Sequence, residues 1–255
     1  MASRLAIANQ KGGVGKTTTA MNLASIYAIA GRKTLLLDLD PQGNATTGLG
    51  MGKEPGAGAS RLLSGKTDGV VYPTALENLH VVPASPDLQT TESALREGSE
   101  RRTALREALD RLAVDWDEIL VDCPPSMGGI TRTALGWVDR VLVPIQCEFF
   151  SMEGLTQILA VIDQVREKEN PQLALAGVLL TMYDPSLQFH REVVENLAHH
   201  MGEKLCRTVI PRDVTLAEAA SHGVPVVEYD SLARGTFGYV ELGKEMMGHG
   251  RKATG

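Results

Sequence analysis

The 255-residue sequence is poor in cysteine, in aromatic residues and in net positive charge. Its three cysteines, Cys123, Cys147 and Cys206, are odd in number and far apart, which speaks against a disulfide framework or a CxxC-type zinc site and suits small buried thiols. No run of about 18 uncharged apolar residues occurs, so no membrane-crossing helix is expected. The N-terminal MASRLAIANQKGG is interrupted by Gln10 and Lys11 before an apolar core of signal-peptide length can form, and the chain reads as cytoplasmic. With 25 Lys+Arg against 31 Asp+Glu, the net charge of −6 has the wrong sign for a bulk nucleic-acid binder. The acidity is uneven: residues 61–180 carry 11 basic and 18 acidic side chains, whereas residues 181–255 carry 8 and 10.

What is present is an ordinary globular composition, 43% hydrophobic and 22% charged, on a chain long enough for one large core. Apolar, β-branched runs at 5–8, 34–37, 79–82, 118–121, 140–145, 175–180 and 205–210 read as strands covered on both faces. Between them, 17–30, 87–112, 154–168 and 187–201 carry apolar residues at helical spacing. This alternation predicts an α/β fold, a doubly wound, mostly parallel sheet with helices on both faces. No second domain is expected: residues 1–248 read as one domain, the Gly- and Ser-rich stretch 48–69 as a mobile excursion, and 249–255 as a flexible tail.

The most informative stretch is Gln10-Lys11-Gly12-Gly13-Val14-Gly15-Lys16-Thr17-Thr18, between the first predicted strand and the first predicted helix. Glycines there let successive backbone N–H groups converge on phosphate oxygens, and the helix start adds partial positive charge. Lys16 is placed to reach β- and γ-phosphates and the Thr17 hydroxyl to ligate Mg²⁺. The usual P-loop has a glycine where Gln10 stands, and this loop carries a second lysine, Lys11, instead. Asp122 ends the apolar run 118–121 and fits a strand-end carboxylate holding Mg²⁺. The segment 124–130 after it, with Gly128-Gly129, is suited to sense a γ-phosphate. Asp38 and Asp40, two residues apart at the end of the second strand, point the same way. A guanine-reading Asn-Lys-x-Asp is missing where Thr181-Met182-Tyr183-Asp184 stands, which favours ATP.

KGGVGKTT resembles the deviant Walker A motif of the ParA/MinD ATPases, and the resemblance continues through DLDPQGNATTGLG (38–50), VDCPPSMG (121–128), VPIQCEFFSMEGL (143–155) and TVIPRDVTLAEAASHG (208–223), closest to the chromosomal ParA (Soj) branch. It implies a slow, Mg²⁺-dependent ATPase that forms a homodimer around ATP, with Lys11 reaching the nucleotide of the partner subunit, Asp40 directing the attacking water, Asp38 beside Mg²⁺ and Pro211 packing near adenine. It further implies ATP-dependent non-specific DNA binding, nucleoid association and a ParB-type partner that stimulates hydrolysis. At two places where that branch usually carries a basic residue, this sequence has Ser186 and Thr215. Arg191, Arg207, Arg212, Arg234, Lys244, Arg251 and Lys252 remain as phosphate-neutralising candidates. The alternative is a ParA-like switch that positions a protein cargo with weak or no DNA binding. A membrane-binding C-terminal helix is not expected, because Gly248 and Gly250 interrupt it.

Overall fold

The computed structural model describes residues 2–54, 56–90, 99–148 and 151–250. In chain order its elements are β1 (Ser3–Ile7), α1 (Lys16–Ile29), β2 (Thr34–Asp38), α2 (Asn44–Gly48), α3 (Gly58–Leu63), β3 (Tyr72–Pro73), β4 (Leu79–Val82), α4 (Ser99–Leu112), β5 (Glu118–Asp122), α5 (Gly129–Leu135), β6 (Arg140–Gln146), α6 (Ser151–Lys168), β7 (Ala174–Tyr183), α7 (Gln188–Met201), β8 (Leu205–Pro211), α8 (Thr215–Ser221), α9 (Val226–Tyr229) and α10 (Arg234–Gly250). The strands form one sheet in the order β3-β4-β2-β5-β1-β6-β7-β8. Every pairing is parallel except that of β3 with β4.

The near-continuous apolar runs follow from burial on both faces. Leu5, Ile7, Leu36, Leu120 and Leu142 enter one core with α1 and α10, while Ala6, Leu35, Leu37, Val121 and Val143 enter another with α3 to α7. Alternate residues of one strand thus serve opposite cores, as pleat geometry requires. All seven strands expected from the sequence are present, and the doubly wound fold is as expected. Successive crossovers run away from β1 in opposite directions, so the crevice at the carboxyl ends of β1, β2 and β5 is a topological switch point where such sheets bind ligands. The β2–β5 register pairs Asp38 with Asp122, and the β1–β5 register pairs Ile7 with Asp122, which brings both carboxylates level with the end of β1.

Two expectations change, and one strand is added. The stretch 48–69 is not a mere excursion: α3 lies within it and buries Ala59, Leu62 and Leu63 in the core. Its anchor is Ala59 N donating to Pro83 O at 2.9 Å, beside Gly58, whose Cβ would stand 2.1 Å from that same oxygen. The edge strand β3 has no alternation to betray it, and Pro73 is tolerated there because an edge needs no second donor. The last helix runs to Gly250, through the glycines read as its end, so only 251–255 of the expected tail, Arg251 and Lys252 among them, lie outside the described residues. Residues 91–98 of the long helical stretch also lie outside them; its remainder is α4. No described helix is long and apolar enough to cross a membrane.

The far edge of the sheet, β8, is closed by a side chain. Glu245 of α10 accepts from Arg207 N and Thr208 N, both at 2.9 Å. Burial opposes its ionisation, but the Thr208 and Arg207 donors outweigh burial and hold the carboxyl below the ordinary glutamate value of 4.5. A lowered folded-state pKa means that this stabilisation is fully present above 4.5 and is lost as pH falls through the folded value. Glu245→Gln, which leaves one strand donor without an acceptor, is therefore expected to lower unfolding free energy by about 1–3 kcal/mol at neutral pH. Denaturant titrations of both proteins should converge once the pH falls below the lowered folded-state value and Glu245 protonates; a gap that persists in acid, with both proteins still folded, would contradict the assignment.

Candidate active site

The loop between β1 and α1 is fixed from below by the neighbouring strands. Asn9, buried, donates through Nδ2 to Pro144 O at 2.7 Å and accepts from Lys11 N at 3.1 Å. The Thr181 hydroxyl of β7 lies 2.9 Å from Val14 O and 3.1 Å from Ile145 O, and Gln146 Nε2 donates to Gly13 O at 2.7 Å. Gly13 and Gly15 adopt φ of +75° and +85°, a left-handed conformation that side-chain-bearing residues rarely enter. Gly15 is the residue before α1, so the loop amides and the first turn of the helix open into the same cavity. That cavity, of about 410 Å³, is lined by Gly12, Gly13, Gly15, Lys16, Thr17, Thr18, Asp40, Gln42 and Pro125, among others.

Lys16 is buried and curls over the loop, Nζ donating to Lys11 O at 3.0 Å. Burial lowers its pKa, and Asp122 and Asp40 offset part of that effect. Asp38, Asp40 and Asp122 are all buried, and the charges of Asp122 and Asp40 act on Lys16. They differ in what meets their oxygens. Asp38 accepts from Thr46 N (2.8 Å), the Thr46 hydroxyl (2.7 Å) and Asp40 N (3.2 Å), and burial still pushes its carboxyl up to about 6. Asp40 accepts from Gln42 N at 2.9 Å across its turn and lines the cavity. Neither oxygen of Asp122 meets a donor in good hydrogen-bond geometry among the described residues; burial, then the Asp38 charge, hold its carboxyl well above the usual range, and the nearby Thr17 hydroxyl only partly offsets them.

Two buried oxygens without donors are an incomplete arrangement, and a divalent cation completes it. No group of three or more His, Cys, Asp or Glu is arranged to hold a metal among the described residues. That fits Mg²⁺, which is bound by one or two protein oxygens together with substrate phosphates and water. Asp122 and the Thr17 hydroxyl, which favours the charged form of Asp122, are the fitting donors. Asp38, expected from the resemblance to stand beside Mg²⁺, pairs in register with Asp122 and accepts from three donors of the chain itself.

Lys11, the extra lysine, projects to the half-exposed surface and forms an ion pair with Glu148, beyond the end of β6. A second cavity of about 380 Å³ shares Gly15, Thr18, Met182 and Ala220 with the first and is lined by Pro211, Ile210 and Leu216, an apolar slot of the kind a planar base occupies. The segment 124–130 runs from the cavity wall at Pro125 into α5, where the Thr131 hydroxyl donates to Ser126 O at 2.6 Å. The next residue, Arg132 (3.3 Å), and Arg106 of α4 (2.6 Å) share Glu169. The three cysteines are buried and unpaired with one another, and burial raises the thiol pKa of Cys147 to about 11 and of Cys206 to about 12.

The basic candidates gather at the β8 edge. Arg234 and Lys244 line a groove of about 800 Å³ with Arg207, Phe237, Glu241 and Glu245. Arg234 donates to Arg212 O at 3.4 Å, and Arg191 to the carbonyl of Pro185, which also lines the groove. Ser186 donates twice to Asp184, and Thr215 N to Asp213, so both lie in carboxylate-capped turns. Sequence reasoning did not single out Asn9, Thr46, Gln146, Glu148 or Thr181. All five stand inside strings quoted above or directly before the loop, but their roles depend on partners distant along the chain.

The family described as an AAA domain matches residues 2–175. The chromosome partitioning protein ParA of Myxococcus xanthus (strain DK1622) is 44% identical over 246 residues, 95% of this chain and 87% of that protein. The sporulation initiation inhibitor protein Soj of Bacillus subtilis (strain 168) is 42% identical over 253 residues, 98% of this chain and 100% of that protein. Among solved structures, a Mycobacterium smegmatis protein named cobyrinic acid a,c-diamide synthase, with bound ADP and magnesium, superposes with a TM-score of 0.86 at 32% identity, covering 99% of this chain and 97% of that one. The septum site-determining protein MinD of Pyrococcus horikoshii OT3, complexed with Mg-ADP, gives a TM-score of 0.78 at 24% identity over 96% of each chain, a likeness of fold. The loop, the strand-end carboxylates and this full-length similarity agree, and the chain belongs to the ParA/Soj family of chromosome-partitioning ATPases.

Proposed function

We propose that the chain binds MgATP across the two joined cavities, dimerises around it in the cytoplasm and uses slow hydrolysis to time its association with DNA in chromosome partitioning, released by a ParB-type stimulator. The observation that carries this reading is a phosphate loop whose Lys16 lies buried beside Asp40 and Asp122, the latter with neither oxygen in hydrogen-bond geometry with a donor among the described residues. Lys16 and the amides from Gly12 to Thr18 hold the phosphates, and the slot at Pro211 takes adenine. Mg²⁺ held by Thr17 and Asp122 supplies charge neutralisation on the phosphates. Asp40, on the cavity wall beside Gln42, orients water towards the γ-phosphate. Lys11 leaves Glu148 to complete the site of the partner subunit, where a second cation stabilises charge on the transferring group.

DNA binding rests on the convergence of Arg191, Arg207, Arg212, Arg234 and Lys244 around one edge of the sheet. The second reading, a switch that positions a protein cargo, is favoured by the apolar and acidic lining of the same groove, Phe237, Glu241 and Glu245, and by the uncharged Ser186 and Thr215.

Size-exclusion chromatography with ATP and Mg²⁺ should give no dimer for Lys16→Ala or Lys11→Ala and a persistent one for Asp40→Ala. A normal ATP dimer from Lys11→Ala would remove the trans role of that lysine. The Asp40→Ala dimer should shift duplex DNA at low salt, with affinity falling steeply as salt rises. Replacing Arg234 and Lys244 by Ala should flatten that dependence by about one unit of log–log slope for each phosphate that is no longer neutralised. No shift of duplex DNA even at low salt would support the cargo reading instead.

A further inference from the structure

Asp38 is not among the residues that line the nucleotide cavity, yet it is fully buried and hydrogen-bonded at both oxygens, and its partners explain why. The short helix α2 begins at Gly43, a left-handed residue with no side chain to cap the helix. Asp38 performs that task from the end of β2, accepting from Thr46 N and from the Thr46 hydroxyl at one oxygen. The direction of the hydroxyl is fixed. Ala84 N, just beyond β4, meets Thr46 Oγ1 at 2.8 Å and can only donate, so the single hydroxyl proton must go to Asp38. All three residues are buried, so water cannot substitute for a missing partner. The other oxygen of Asp38 accepts from Asp40 N, and Asp40 in turn closes its turn through Gln42 N and Gly43 N. The turn bearing Asp40 is therefore referenced to β4 through one hydroxyl.

We infer that Thr46 is a positioning residue for ATP hydrolysis: the relay from Ala84 N through the Thr46 hydroxyl to Asp38 holds the Asp40 turn in register with the phosphate loop. This rests on the reading of Asp40 as the residue that directs water. Thr46→Val keeps the volume and removes the hydroxyl, leaving Ala84 N without an acceptor and Asp38 with one donor fewer. Single-turnover and steady-state ATP hydrolysis should show kcat reduced by about 10- to 100-fold, the scale expected of an ångström-sized misplacement, with KM for ATP within about threefold. Thr46→Ser, which restores the hydroxyl, should return kcat to within about threefold of the parent. Binding of a fluorescent ATP analogue and the melting temperature, measured on the same samples, separate misplacement from misfolding. The inference fails if Thr46→Val hydrolyses at the parent rate, if Thr46→Ser does not restore it, or if the loss matches a loss of ATP binding or of folded protein. Asp40→Ala, run alongside, keeps the two ideas apart. If it hydrolyses normally, the reading of Asp40 falls; if it is inactive while Thr46→Val is normal, only the role of Thr46 falls.

Discussion

Burying three carboxylates at the ends of two adjacent strands, two of them acting on one ammonium, is the constraint around which the molecule is arranged. Asp38 and Asp122 are placed there by strand register, because β2 and β5 pair residue for residue and end together. Asp40 follows from the same strand two residues on. Like charges so close in a water-poor crevice are unfavourable unless something neutralises them, and burial accordingly raises the pKa of both Asp38 and Asp122. The chain supplies partial answers: Lys16 for Asp122 and Asp40, and backbone and hydroxyl donors for Asp38. For Asp122 it supplies no donor in good geometry among the described residues, and that omission gives the site an appetite for a cation and the polyphosphate that accompanies it.

The loop opposite these carboxylates has little stiffness of its own, being rich in glycine. Its shape is imposed by β6 and β7, through Pro144 and Ile145 carbonyls, Gln146 and the Thr181 hydroxyl. Those two strands lie on one side of β1, while β2, which carries Asp38 and leads to Asp40, lies on the other beyond β5. The two halves of the sheet therefore present the two halves of the site, and the central strand β1 delivers the nucleotide between them. Helix α1, buried along most of its length against the sheet and α10, keeps the loop from shifting along the crevice.

Much of this could be read from residue order, and what could not has a common cause. Gly15, Lys16 and Thr17 act through neighbours one or two residues away, so their string of letters is nearly their geometry. Strand runs such as 34–37 and 118–121 were legible because burial on both faces leaves them almost wholly apolar. Helix α3 was not, since six residues show less than two full turns of periodicity and its composition resembles a loop. The task of Asp38 is visible only when Thr46 and Ala84 are brought together, 38 residues apart in sequence, by the pairing of β4 with β2. The partner of Lys11 lies 137 residues away. Sequence spacing reports local chemistry well; it is silent where a side chain is satisfied by another strand.

The Lys11–Glu148 pair has a further thermodynamic meaning. A lysine that must leave one carboxylate before it meets another group contributes to association only the difference between the two attachments, and the proposed dimer is an exchange reaction rather than a simple gain. The pair is half-exposed and therefore weak, so leaving it opposes the proposed association only slightly. In the proposed cycle, a lysine released when the terminal phosphate departs has its original partner on its own chain. Glu148 can thus act as a recapture site that gives disassembly a direction, without any large store of strain in the folded protein.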